Sequence, residues 1–355
     1  MVNITNHDDV SSEEFLQIST NIVSTFGNRL PVSICIHDDE IDRVVPLFER
    51  ETRISDKKRQ TIDNYCAEGN LFISKEDYAK LAGHISKNLG SLLTEHYLEE
   101  TDAAKIFYDG VLEKVRAFYS NPIGETLEDL KSTLAIYCEY VWIDPNRWTY
   151  FFNTLRREKD LCCHVVNTLF VGTAIYLKVV YNPKKKLDLR PIAMGLILHD
   201  LGMTQLPTAL STKNSPFLYK ERMRMQEHVD ISEKMLYRLD IKDEIVKSCV
   251  FDHHERIDGS GYPRGRRAEA ISTEARVCAI ADAFCGMISE RWHRAALNPI
   301  LAAIIISEKK AQYDPALASS LISFIIANNP EMKALLQNKE KMKQLKAIAL
   351  QKCAQ

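Results

Sequence analysis

From residue 147 to residue 327 the apolar side chains recur three and four positions apart, and no alternating apolar and polar pattern interrupts them. A period near 3.6 belongs to an α-helix with one buried face, whereas a half-buried strand shows a period of two. The pattern predicts helices over 147–180, 189–203, 217–238, 241–254, 272–290, 297–308 and 315–327. Such helices bury their apolar stripes only against one another, so residues 146–330 are expected to form an all-α helical bundle.

Ahead of that span the pattern changes twice. Residues 1–90 set short β-type runs, Pro31-Val-Ser-Ile-Cys-Ile36 and Asn70-Leu-Phe-Ile-Ser74, between polar helical segments, which predicts a small α+β module with a regulatory role. Its histidines, His7, His37, His84 and His96, show no ligand spacing. Between 91 and 145 helical periodicity returns: one helix spans Ala103 to Tyr119 and stops at Asn121-Pro122, and another spans Thr126 to Trp142 and stops at Asp144-Pro145. This part reads as a helical connector. Residues 331–355, rich in Lys, Leu and Ala, are predicted to form one amphipathic helix whose lysines make a solvated face.

Charge excludes some partners. The formal net charge is -2, with both signs spread along all 355 residues, so neither a nucleic-acid polymer nor a membrane surface is expected as a partner. Nine cysteines without a Cys-x-x-Cys pair argue against a disulfide framework. The first residues lack the basic and apolar regions of a signal peptide, and no run of about 18 apolar residues is apparent. A reducing, cytoplasmic setting is expected.

One stretch inside the helical span answers to no packing need. Phe251-Asp-His-His-Glu-Arg-Ile-Asp-Gly-Ser-Gly-Tyr-Pro-Arg-Gly265 closes a helix with two adjacent histidines and runs at once into a glycine- and proline-punctuated turn. Neighbours on a helix point about 100° apart, so His253 and His254 suit metals seated beside the helix end better than a shared core. Around them stand Asp160 and His164, four apart and so on one helix face; His199-Asp200, closing the apolar Ile192–Leu198; His228; and Asp282, inside the apolar Val277–Phe284. Six of the ten histidines lie between 164 and 293, and five of those belong to this set. A lone carboxylate at 282 would cost several kcal/mol of desolvation unless a cation faced it. Imidazoles and carboxylates without thiolate suit Fe, Mn or Zn. Eight candidates are too many for one ion. Two ions about 3.5–4 Å apart, sharing a carboxylate such as Asp200 and a bridging hydroxide as nucleophile, would suit in-line attack on a phosphodiester.

At these residues the chain resembles the HD-GYP family, the branch of the HD phosphohydrolase superfamily that hydrolyses cyclic di-GMP in bacteria, over about residues 150–325. His199-Asp200-Leu201-Gly202 is similar to its HD motif, His253-His254-Glu255 to its double histidine, Asp258-Gly-Ser-Gly-Tyr-Pro263 to its GYP loop and Tyr313-Asp-Pro315 to a late marker. The resemblance implies a metal-dependent phosphodiesterase that opens cyclic di-GMP to pGpG, to GMP, or both, under control of the amino-terminal module. It implies His199 and Asp200 at the catalytic centre. It implies His164, His199, Asp200, His228, His253, His254 and Asp282 as ligands of iron or manganese, with Asp160 where some members carry a glutamate that supports a third ion. Phosphate contacts would come from Arg291, Arg294 and Lys213. Gly261, Tyr262 and Pro263 would form a rigid apolar tip that meets GGDEF-type cyclases, and a homodimer is compatible.

Two positions depart from that family. Met203 stands where a lysine commonly follows the HD motif, and His293 replaces a tyrosine between the two arginines. A thioether neither donates a hydrogen bond nor carries charge. The alternatives are therefore a weak or inactive module that binds cyclic di-GMP or a cyclase partner, and a hydrolase of another cyclic dinucleotide. Cys162 and Cys163, beside His164, are read as packing residues rather than redox sensors.

Overall fold

A computed structural model of the chain describes residues 15–18, 26, 28–74, 76–77, 100–182, 184–211, 213, 215–290 and 296–328, with positions 344 and 347. The chain divides into two compact units, Met1–Glu113 and Lys114–Gln355. In the first, β1 (Phe15–Gln17), β2 (Ile34–Asp38), β3 (Arg43–Phe48) and β4 (Phe72–Ser74) form an antiparallel sheet in the order β1-β4-β2-β3, with α1 (Asp56–Ala67) between β3 and β4. Leu30, Val32, Ile34, Ile62, Leu71 and Ile73 are among its residues with almost no exposure. The two β-type runs predicted from sequence are thus β2 and β4. The strand β3 escaped prediction because Pro46 interrupts it, and it is an edge strand, where a missing N–H is tolerated.

The helix α2 (Glu100–Ser120) contains the boundary between the units. That boundary lies at neither residue 90 nor residue 145, because the chain from Lys114 onward packs with the bundle: α3 (Gly124–Ile143) lies against α6 (Arg190–Leu198). The remaining helices are α4 (Trp148–Phe152), α5 (Leu161–Val180), α7 (Tyr219–Gln226), α8 (His228–Arg238), α9 (Glu244–Asp252), α10 (Thr273–Ile288), α11 (Pro299–Glu308) and α12 (Pro315–Asn328). Three 3₁₀ segments, Pro145–Arg147, Leu201–Gln205 and Ala268–Ala270, and a single turn at Thr208–Ser211 join them. In the middle, α10 packs on α5, α9 and α11, and α6 on α5 and α9. The tail helix expected over 331–355 falls outside the described residues apart from positions 344 and 347.

The continuous helix expected over 147–180 is instead two helices with an irregular link. The link is held by Asn167, itself fully buried, whose side chain accepts from Arg156 N at 3.2 Å and donates to Arg156 O at 2.6 Å. Asp160 then caps α5: its Oδ1 accepts from Cys162 N at 2.7 Å and Cys163 N at 3.1 Å. An aspartate just ahead of an apolar run is a recognised N-cap signal. Although α5 is 20 residues long and apolar enough to cross a membrane, contrary to the sequence expectation, every residue from Cys163 to Leu177 is buried against protein.

Aromatic rings fill the space between α3, α4 and α5. Phe151 lies 5.4 Å from Tyr137 and 4.5 Å from Phe170, ring centre to ring centre, and is 1% exposed. Replacing Phe151 with alanine empties that space and is expected to lower the unfolding free energy by about 3–5 kcal/mol. A urea midpoint and slope for F151A measure this, and a loss below about 1 kcal/mol would remove the cluster from the core.

Candidate metal centre

Four helix ends and one mid-helix position converge in the second unit. His164 sits in the first turn of α5. His199 and Asp200 follow the last residue of α6, where the chain tightens into the 3₁₀ segment. His228 opens α8, and His253 and His254 follow the end of α9. Asp282 projects from α10 among buried Ala, Ile and Phe neighbours. Helix ends leave polar groups unpaired within the helix, so titratable side chains gather there without interrupting an apolar face.

Asp200 lies at the centre. Its Oδ1 is 3.3 Å from His228 Nε2 and 3.7 Å from His253 Nε2, while its Oδ2 is 3.5 Å from His199 Nε2 and 3.8 Å from His164 Nε2. Two groups of ligand atoms, each within 4.8 Å of one another, therefore share this carboxylate: His164, His199, Asp200 and Asp282 in one, and Asp200, His228, His253 and His254 in the other. Asp282 Oδ1 stands 3.2 Å from His164 Nε2, and its Oδ2 stands 3.8 Å from His254 Nδ1.

The tautomers make the case for cations. His199 Nδ1 donates to Leu196 O at 2.9 Å, His228 Nδ1 to Met225 O at 2.6 Å and His253 Nδ1 to Val250 O at 3.0 Å. A carbonyl only accepts, so in each neutral ring the proton is on Nδ1 and Nε2 carries a lone pair. His228 Nε2 and His253 Nε2 then face each other at 3.3 Å, lone pair to lone pair. His199 Nε2 is buried without a hydrogen-bond partner. Buried acceptors in this arrangement require a positive charge among them. A cation held by these residues would supply it, and the backbone carbonyls orient the rings as outer-shell partners do in metal sites.

Protonation agrees with that reading. Burial pushes the His254 imidazole down to about 3 and, with the neighbouring imidazoles, holds His253 well below the usual histidine range. Burial opposes ionisation of Asp200 and Asp282, but the imidazoles beside them outweigh it and hold both carboxyls below the ordinary value. Neutral imidazole and ionised carboxylate are the forms that bind a metal.

Glycine sets the spacing at two points. A Cβ on Gly202 would lie 2.1 Å from His228 O, so only glycine lets the turn after Asp200 approach the start of α8, where Gly202 N also donates to Ser232 Oγ at 2.7 Å. A Cβ on Gly261 would lie 2.4 Å from His254 O and 2.5 Å from Arg256 N. The loop therefore closes back on the histidines, and the Tyr262 ring lies 4.6 Å from that of His254. The expected exposed tip of Gly261, Tyr262 and Pro263 is corrected accordingly: Pro263 is exposed, and Tyr262 is turned onto the metal centre.

Seven of the expected ligands come together, and Asp160 does not join them. Both of its oxygens are engaged, Oδ1 by the backbone of α5 and Oδ2 by Arg116 at 2.8 Å. Lys213 pairs with Glu221, which also accepts from Leu218 N at 2.7 Å, so the lysine anchors its own loop. Arg291, Arg294 and His293 lie outside the described residues. Glu255, directly after the double histidine, holds the loop that follows. It is 2% exposed and accepts from Arg264 N at 2.7 Å and Arg266 N at 2.9 Å, while Arg266 pairs with buried Asp252 at 3.1 Å. The hint in the sequence was an acid directly after two ligands and ahead of a glycine-rich loop.

In the metal-free protein His254 remains neutral down to about 3, whereas an unfolded chain takes up that proton near 6.5. Below 6.5 the unfolded state thus binds more protons, and the metal-free fold is expected to lose stability progressively as pH falls from 6.5 towards 3. Melting temperatures of chelator-treated protein at pH 7 and pH 5 test this. His254→Gln should flatten the slope, and an identical slope in that variant would refute the assignment.

Comparison with known proteins places these residues in context. The HD domain family model matches residues 160–317. A cyclic di-GMP phosphodiesterase response regulator of Xanthomonas campestris, RpfG, is 32% identical over 137 residues, covering 38% of this chain and 36% of its own. The 3'3'-cGAMP-specific phosphodiesterase 1 of Vibrio cholerae is 32% identical over 284 residues, covering 78% of this chain and 59% of its own. The chain thus spans less than two thirds of either relative. Among solved structures, an HDG"Y"P protein from Bdellovibrio bacteriovorus shares the fold with a TM-score of 0.61 and 15% identity, covering 88% of this chain and 99% of that one.

Proposed function

We propose that this chain, whose residues 160–317 match the HD domain family, is a metal-dependent phosphodiesterase of the HD-GYP type that opens a cyclic dinucleotide. The observation that carries the reading is the Asp200 carboxylate, whose two oxygens each face a separate pair of imidazole nitrogens. A carboxylate so placed joins two cation positions, the arrangement used for in-line displacement at phosphorus. His164, His199 and Asp282 would hold one ion with Asp200, and His228, His253 and His254 the other. Bound divalent ions, iron or manganese as the resemblance to the HD-GYP family implies, would supply Lewis acidity towards the anionic phosphodiester and a lower pKa for water.

The chain's own residues prepare that chemistry. Asp200 and Asp282, held ionised by the imidazoles around them, present carboxylate oxygens as ligands. The carbonyls of Leu196, Met225 and Val250 keep three rings in one tautomer. Tyr262, stacked on His254, screens one side of the centre from water. Cyclic di-GMP, opened to pGpG and onward to GMP, is the leading substrate.

Protein reconstituted anaerobically with iron or manganese should hydrolyse a cyclic dinucleotide, and Asp200→Asn should lower kcat at least about a hundredfold. No turnover of any cyclic dinucleotide by the fully loaded protein would overturn the enzymatic reading. A second substrate, 3'3'-cGAMP, is favoured by the Vibrio cholerae phosphodiesterase 1 that aligns over 78% of this chain; rate constants on both nucleotides, measured side by side, decide between them. A binding role without turnover rests on Met203, half-buried in the 3₁₀ turn after Asp200. Tight binding with no hydrolysis, unchanged by Met203→Lys, would favour it.

A further inference from the structure

Arg116 and Tyr119 stand three residues apart on α2, hence on one face. Each is bound to the end of a ligand-bearing helix. The Arg116 guanidinium donates at 2.8 Å to Asp160 Oδ2, and Asp160 caps α5 one turn ahead of His164. The buried Tyr119 hydroxyl donates at 2.6 Å to Ile197 O, in the last turn of α6, two residues before His199. Carbonyls in the last turn of a helix lack intrahelical partners, so this hydroxyl completes the end of α6 where the chain turns to deliver His199 and Asp200.

Both attachments serve the same ligand group. Asp200 is common to both groups; His164, His199 and Asp282 belong to the first alone, whereas His228, His253 and His254, carried by α8 and α9, belong to the second alone. We propose that Arg116 and Tyr119 are positioning residues for the first metal position: by fixing the start of α5 relative to the end of α6, α2 sets the spacing at which His164 and His199 share an ion. The inference rests on the two-ion reading above. It gives the two positions unequal control. The helix α2 begins at Glu100, on the amino-terminal side of the boundary between the compact units, so a shift in this helix would loosen the first ion before the second.

The test is manganese binding to the full chain after chelator treatment, followed by equilibrium dialysis, with nucleotide turnover measured separately. The unsubstituted protein should take up about two equivalents. Arg116→Gln and Tyr119→Phe should each keep one tight equivalent and weaken the other about 10–100-fold, the size of effect expected from groups that orient metal ligands. Arg116→Lys should recover most of the loss. A cycle identifies the position: Arg116→Gln added to Asp282→Asn should change nothing further, whereas added to His254→Gln it should remove the remaining equivalent. Wild-type constants for both equivalents in the two single variants would overturn the inference. So would equal loss of both equivalents with a lowered melting temperature, because that is general destabilisation. Should Tyr119→Phe not fold, Arg116→Gln carries the test, since that side chain is half-exposed. If the unsubstituted chain bound no manganese or iron, the two-ion reading would fail and this inference with it; two equivalents without nucleotide turnover would spare the inference and count against the enzymatic reading alone.

Discussion

Two imidazole lone pairs facing each other across 3.3 Å, in a site without solvent exposure at His253, are the constraint on which the helical unit depends. Neither ring can relieve the contact by changing tautomer, because each spends its Nδ1 proton on a backbone carbonyl, Met225 O in α7 for His228 and Val250 O in α9 for His253. Protonation of His253 is opposed as well, since burial holds its imidazole well below the usual range. What remains is a cation between the nitrogens. The polypeptide accepts an unfavourable metal-free arrangement that a bound ion makes favourable, which couples metal binding to stability.

That constraint explains where the ligands stand along the chain. A histidine in the middle of an apolar helix would displace core side chains, but at a helix end it joins groups that already need partners. His199, Asp200, His228, His253 and His254 all occupy such ends. Asp282 alone is mid-helix, and its carboxylate is held ionised there by the imidazoles around it. The approach of separate helix ends then becomes a backbone problem, met by Gly202 against His228 O and by Gly261 against His254 O.

The same logic sets how much could be read from the sequence. Helix periodicity is a property of each segment alone, so α3, α6 and α9 to α12 were legible to within a few residues, and the clustered histidines marked the centre. What escaped depends on partners distant in sequence. Asp160 and His164 at a spacing of four suggested one helix face, yet Asp160 lies one step before the helix, and its second oxygen is taken by Arg116, 44 residues away. Helix periodicity also ran through the link after Phe152, because nothing local shows that Asn167 fastens Arg156 there. Tyr262 looked like an exposed tip because the close approach that turns it inward is visible only once Gly261 is seen against His254.

Glu255 shows why the double-histidine motif is best taken together with the loop that follows it. An acid next to two ligands invites assignment as a third, but its oxygens point the other way, each accepting a backbone N–H from Arg264 or Arg266. Those bonds return the loop towards α9, and the Arg266 ion pair with Asp252 fastens it from the preceding residue. Three consecutive positions thus divide the work: His253 and His254 face the carboxylates of Asp200 and Asp282, while Glu255 faces the loop that carries Tyr262. A glutamine at 255 would keep one acceptor and turn a donor towards the second N–H. The loop, rather than the ligand set, would be the first part to loosen.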